Sequence, residues 1–221
     1  MKVSTQGLQC AGLCFVATLR QSVTNEYFSY TLYLRMAFKF KHGDSYTTYF
    51  CTFTCYNWLH LFEITNSYDL VYKWFDELKK NKEEVISYVI MPNHFHAILY
   101  LPQTGYDLNK MIGNAKRLIA YEIIERLKKQ EQGKLLELLS SAVTETEKSK
   151  GQLHKVFEPS FDAKPIYNQK FFMQKFNYIH LNPVSGKWNL AKDYTHYEHS
   201  SASFYEVGIA ESYRPFDFRV L

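Results

Sequence analysis

Two histidines separated by one phenylalanine, His94-Phe95-His96, follow Met91-Pro92-Asn93 and open an apolar run. Side chains in a β-strand alternate with period two, so His94 and His96 share one face while Phe95 points to the other. Two imidazoles on one face can reach one metal ion, and a divalent cation held there can polarise a phosphate or a carbonyl. A lone His-x-His pair on a strand serves more often in packing or hydrogen bonding, so it reads as a site only with partners from elsewhere in the chain.

Residues 169–181 supply candidates. Asn168 is an N-cap type and Pro183 a stop signal, which together predict a helix between them. Phe172, Phe176 and Ile179 make an apolar stripe, and Phe171, Lys175, Tyr178 and Asn182 line the adjacent face at helical spacing. Because Asn182 precedes a proline, it is biased out of the α region, and the last turn is expected to depart from helical geometry. A free phenol is ionised only about one time in a thousand at neutral pH. Tyr178 as a nucleophile therefore needs help, either from a cation such as Lys175 one turn earlier or from a metal that draws charge from its target. Taken singly, Tyr178 is one of 18 tyrosines and Asn182 reads as a helix C-terminal residue.

The elements that must position these residues follow from periodicity. Residues 46–56, rich in Thr, Tyr, Phe and Cys, predict a strand. Leu70, Val71, Trp74, Phe75 and Leu78 fall at helical spacing, and strands follow at 85–90 and 94–101, antiparallel neighbours joined by the Met91-Pro92-Asn93 turn. A long helix is predicted over 108–129, with Leu108, Ile112, Ala115, Ile119 and Ile123 on one face and Lys110, Lys116, Arg117 and Arg126 largely off it. Those basic residues make either a solvated surface or a set of phosphate contacts. Residues 130–152 read as a polar helical or mobile connector, and 157–167, with two prolines, as a loop.

Composition sets outer bounds. With 221 residues and 46% hydrophobic content, the chain can bury a core as one domain with appendages. A net charge of +4 permits a nucleic-acid partner without requiring one. Cys10, Cys14, Cys51 and Cys55 lack zinc-finger spacing; Cys51 and Cys55 share one face of the first strand as small buried thiols, which fits a reducing cytoplasm. No stretch approaches the roughly 20 apolar residues of a membrane span. Residues 8–19 faintly resemble a signal-peptide core but have only Lys2 before them. Residues 1–35 are expected to be an appendage or an overlong start, 36–205 the functional domain and 206–221 a tail.

The run Met91-Pro92-Asn93-His94-Phe95-His96, followed some eighty residues later by Asn177-Tyr178-Ile179-His180-Leu181-Asn182-Pro183-Val184, resembles the single-tyrosine HUH transposases, and among them the REP-associated tyrosine transposases. The resemblance covers roughly residues 45–205, including Lys116-Arg117 and Ser200-Ser201-Ala202. It implies an α+β sandwich of ferredoxin or RRM type, with a central antiparallel sheet carrying the histidines and helices packed against it. It implies Tyr178 as the nucleophile that becomes linked to a 5′ phosphate of single-stranded or hairpin DNA. His94, His96 and Asn182 would hold Mg²⁺ or Mn²⁺, and Lys110, Lys116, Arg117 and Lys175 would contact DNA. A homodimer is compatible with it. Two other readings stay open: a domesticated hairpin-binding protein that no longer cuts, and a metal-dependent hydrolase of small phosphoesters that has no use for Tyr178. His180 is expected to be structural, since it points off the Tyr178 face.

Overall fold

The structure, a computed structural model, describes residues 46–102 and 107–220. The expectations for residues 1–35, and with them Cys10 and Cys14, lie outside the described residues. In chain order the elements are β1 (Thr48–Thr54), α1 (Leu61–Ile64), α2 (Tyr68–Lys80), β2 (Glu84–Ile90), β3 (His94–Tyr100), α3 (Leu108–Lys129), α4 (Gly133–Ser141), α5 (Glu145–Ser149), β4 (Asp162–Pro165), α6 (Gln169–Leu181) and α7 (Ala202–Val207). The strands form one antiparallel sheet in the order β2-β3-β1-β4. Strand, helix, two strands, helix, strand in that order is the ferredoxin-like arrangement.

Alternation assigns each residue of the central strands to a layer. Cys51, Phe53, Phe95, Ala97 and Leu99 point to one side, where Val71, Phe75 and Leu78 of α2 and Ile112, Ile119 and Ile123 of α3 complete an apolar core. Phe53 and Phe95 sit 4.9 Å apart at its centre. Both thiols are fully buried there, and desolvation pushes the Cys51 thiol up to about 12 and raises Cys55 further, so neither is a reactive nucleophile. On the other side, His94 stands opposite Thr54, His96 opposite Thr52, and Ile98 opposite Phe50. This second face receives α6, which packs on β2 and β3 through Phe172, Phe176 and Ile179.

Both sheet edges are managed. An irregularity between Val85 and Ser87 sets Ser87 opposite Ile98, on the α6 side. The edge of β2 is then covered by residues 199–201: Ile90 N–H donates to His199 O at 2.9 Å, and Ser201 N–H to Tyr88 O at 3.0 Å. The other edge is β4, four residues long, inside the stretch expected to be a loop. Its composition lacks alternating apolar residues and it ends on Pro165, which only an edge strand tolerates. The connector 130–152 resolves into α4 and α5, the latter opened by a capping box between Thr144 and Glu147.

The stretch expected to be a C-terminal tail returns to the sheet. Phe216 N–H donates to Val85 O at 2.8 Å, Tyr213 O accepts from the Tyr88 hydroxyl at 2.9 Å, and Phe218 packs 4.9 Å from Phe172 and 5.4 Å from Phe176. Among the described residues, no helix is long and apolar enough to cross a membrane.

Lys116, read in the sequence as a candidate DNA contact, turns inward. Its Nζ donates to the carbonyl of Glu158 at 2.6 Å and lies within 3.4 Å of those of Pro159 and Ser160, pinning the loop that enters β4. Net hydrogen bonds from a charged donor are worth roughly 1.5–3 kcal/mol. Lys116→Met is therefore expected to lower the unfolding free energy by about 1–3 kcal/mol in urea titrations without changing the slope. An unshifted midpoint would show that the loop is held by other means.

Candidate nucleic-acid cleavage site

Asn168 caps α6 by accepting from Phe171 N–H at 2.8 Å, and this sets the phase of the helix over the histidine face of the sheet. The buried stripe then leaves Tyr178 at the rim, 46% exposed, with its hydroxyl 3.3 Å from His96 Nε2. The Tyr178 and His96 rings are 5.1 Å apart, and His96 and His94 are 4.8 Å apart. Four residues after Tyr178, Asn182 is buried with φ −52° and ψ −45°. It keeps the α conformation despite Pro183, contrary to the bias expected of a residue before proline. The helix passes directly into a 3₁₀ turn, Asn182–Val184, fixed by Ser185 N–H donating to Asn182 O and Leu190 N–H to Pro183 O. Asn182 thereby stays on the Tyr178 face.

Two polar atoms here lack a good hydrogen bond. His96 Nδ1 is buried without one, and Asn182 Oδ1, also buried, has only the His94 ring facing it, outside good hydrogen-bond geometry, an arrangement that native interiors avoid unless something else meets the group. The imidazoles are kept neutral. Burial brings His94 down to about 4, with Lys187 and His60 adding to the effect and the Asn182 side chain opposing it. Burial first, then His94 and Lys175, holds His96 well below the usual histidine range. A neutral imidazole offers a lone pair, which metal ligation requires. Asn93 fixes which one: its Oδ1 is 2.6 Å from His94 Nδ1, which places the proton there and leaves Nε2 as the free donor atom. Among the described residues, no three His, Cys, Asp or Glu side chains cluster as metal ligands. A metal held here would take two imidazoles and the Asn182 amide oxygen.

Lys175 is also at the site. Its ammonium lies 4.6 Å from the Phe50 ring centre and 5.5 Å from those of Phe171 and Tyr178, a cradle of three rings. Partial burial, with Lys164 nearby, lowers its proton affinity. Lys110 and Arg117 are exposed on α3, across the sheet, and Arg117 borders a separate cleft of about 720 Å³ that shares no lining residue with the histidine site. The structure thus brings His94, His96, Tyr178, Asn182 and Lys175 together and leaves Lys110, Lys116 and Arg117 in the other layer. Sequence reasoning missed Asn93, Trp58, Lys187 and Trp188. The indoles and Lys187 line a cleft of about 480 Å³ with His94, Tyr178 and Asn182; the signal available was that two of only three tryptophans fall outside any apolar period.

No protein-family model matches the chain, and no curated protein does. Among solved structures, a REP-associated tyrosine transposase bound to a REP hairpin aligns over 75% of this chain and 82% of its own, with a TM-score of 0.51 and 20% identity. The chain has that transposase's fold. The common frame includes the antiparallel sheet with helices packed against it.

His180 is structural, as expected. It is buried, with Nε2 2.8 Å from Ser201 Oγ and 3.2 Å from Ser87 Oγ, tying α6 to the covered edge of β2. Burial lowers it to about 3. Unfolding returns it to the ordinary range near 6.5, so the unfolded chain binds the extra proton first. Its contribution to stability is full above about pH 6.5 and is lost as pH falls toward about 3. Wild-type unfolding free energy should fall from pH 7 to pH 5, with His94 and His96 acting in the same direction. His180→Asn should flatten that slope by up to about 1.4 kcal/mol per pH unit. Equal slopes in the two proteins would contradict a neutral buried His180.

Proposed function

We propose that this protein is a DNA strand transferase of the REP-associated tyrosine transposase kind, cutting and rejoining single-stranded DNA beside a hairpin through a 5′-phosphotyrosine link. The observation that supports it best is the convergence of the Tyr178 hydroxyl, two neutral imidazoles and the buried Asn182 amide oxygen, with His94, Tyr178 and Asn182 on one cleft and His96 behind Tyr178. The fold shared with a transposase bound to a REP hairpin supports the same reading.

The residues present fit a divalent cation. His94 Nε2, His96 Nε2 and Asn182 Oδ1 would hold Mg²⁺ or Mn²⁺, leaving positions for phosphate oxygens and water. Bound there, the ion would draw charge from the scissile phosphate and help position it. The chain's own groups do the rest. Tyr178 Oη attacks phosphorus; the new P–O bond forms as the bond to the 3′ oxygen breaks, and that oxygen leaves as a hydroxyl after taking a proton from water. His96 Nε2, 3.3 Å from the phenol, is the nitrogen that would hold the ion when it is bound, and the phenolic proton leaves to solvent through the half-open rim. Lys175, one turn before Tyr178, adds positive charge beside the developing phenolate. Because the ester is exchanged and not hydrolysed, a second 3′ hydroxyl can reverse the step and join strands.

Incubation with a labelled hairpin carrying a single-stranded 5′ flank should yield a denaturant-resistant protein–DNA adduct. Tyr178→Phe should abolish it while binding stays within about threefold, EDTA should stop cleavage, and Mn²⁺ or Mg²⁺ should restore it. An adduct formed by Tyr178→Phe at the wild-type rate would overturn the assignment of the nucleophile. Cleavage that survives exhaustive chelation would remove the metal.

A further inference from the structure

Trp58 is 57% exposed, yet its backbone is held in an unfavourable conformation. Asn57 and Trp58 have φ of 50° and 57°, the left-handed region that bulky non-glycine residues rarely occupy. The surroundings enforce this turn from three sides. Asn57 N–H donates to Glu158 Oε1 at 2.8 Å, Trp58 N–H to Cys55 O at 3.1 Å, and Trp58 O accepts from Asn93 Nδ2 at 2.9 Å. Asn93 is the residue whose other amide atom fixes His94, so one side chain ties the exposed indole to the histidine site.

A second tight turn brings another indole to the same cleft. Gly186, at φ +63°, permits the reversal in which Trp188 N–H donates to Ser185 O at 3.1 Å. Trp188 then stands 6.1 Å from His94 and 5.6 Å from His60, with the Lys187 ammonium 5.3 Å from its ring centre. Trp58 is 5.6 Å from His94. The rings run in sequence along the cleft: Tyr178 against His96, His96 against His94, and His94 against the two indoles. Although its ring meets His94 edge to face, the Trp58 side chain remains more than half in solvent.

We infer that Trp58 and Trp188 form a stacking platform for unpaired DNA bases, with Lys187 taking an adjacent backbone phosphate, on the leaving-group side of the scissile bond. Aromatic rings beside a cation are the means by which proteins grip single strands without reading a duplex. The side follows from in-line displacement. The departing 3′ oxygen lies across phosphorus from Tyr178 Oη, and the indoles stand at the end of the cleft away from Tyr178. The base stacked there belongs to the nucleotide immediately 5′ of the cut. This side assignment rests on the proposed cleavage reaction; the stacking does not.

The test uses the full chain carrying Tyr178→Phe, so that binding is read without cleavage. The probes are a hairpin with a 5′ single-stranded flank, a blunt hairpin, and flanks with 2-aminopurine moved one position at a time. Stacking should quench 2-aminopurine at one or two adjacent flank positions. Adding Trp58→Ala or Trp188→Ala should remove that quench and weaken the flanked hairpin about tenfold or more, while the blunt hairpin stays within about twofold; Trp58→Phe should retain most of the affinity. Equal loss on both hairpins, or no loss on either, would overturn the platform. Quenching that lies 3′ of the position mapped as the cut in wild-type protein would overturn the side assignment. A platform that behaves as expected in a protein whose wild type forms no adduct would sink the cleavage reading and leave the stacking intact.

Discussion

The site depends on the antiparallel register of β3 against β1. That pairing sets His94 and His96 opposite Thr54 and Thr52 on one face while Phe95 enters the aromatic core on the other. A one-residue slip would exchange the faces, burying both imidazoles among Phe53 and Phe75 and exposing Phe95 to α6. The core therefore specifies the site: the apolar layer between the sheet, α2 and α3 tolerates only the register in which the histidines face the other way. The covered edge of β2 and the returning C-terminal segment hold the sheet from its far side, where Phe218 also braces Phe172 and Phe176 of α6.

What the second face contributes is polarity that the protein leaves incomplete. Two imidazoles kept neutral by burial, an amide oxygen without a good hydrogen bond and a half-exposed phenol are costly together in a closed fold, since an unmet buried polar group costs roughly 1–3 kcal/mol. The two imidazoles and the Asn182 oxygen are the groups that a cation would meet, and the phenol the one that a phosphate would meet. Asn93 links this chemistry to the cleft wall, since its Oδ1 sets the His94 tautomer and its Nδ2 holds the carbonyl of the strained Trp58 turn. The orientation of the His94 ring and the Trp58 turn are thereby mechanically joined.

Much of this was legible in the sequence, for a physical reason. The histidine pair and the α6 face obey short periods, two and roughly 3.6, and local spacing suffices to place them; the bounds of α3 followed from its apolar stripe in the same way. Other features arise only from contacts distant in sequence. Lys116 looks like a solvated cation on a helix surface until the loop at 158–160 presents its carbonyls. Asp162–Pro165 has no strand pattern of its own and becomes a strand because β1 offers an open edge. The tail 206–220 lacks periodicity, yet Tyr213, Phe216 and Phe218 find the sheet and α6. Asn182 runs against local preference: Pro183 disfavours the α conformation, and the hydrogen bonds of the following turn impose it. Trp58 and Asn93 meet across 35 residues, which no local window spans.

The central claim is that His94, His96 and Asn182 together form one divalent-cation site within reach of Tyr178. Anomalous diffraction from crystals of the full chain grown with Mn²⁺ and a hairpin bearing a 5′ flank tests it most directly. The account predicts a single strong manganese peak in contact with both imidazoles and the Asn182 side chain, and its loss in His96→Ala. A structure at saturating Mn²⁺ with no density between those three residues, or with the ion bound elsewhere and the His96–Tyr178 hydrogen bond unchanged, would contradict it.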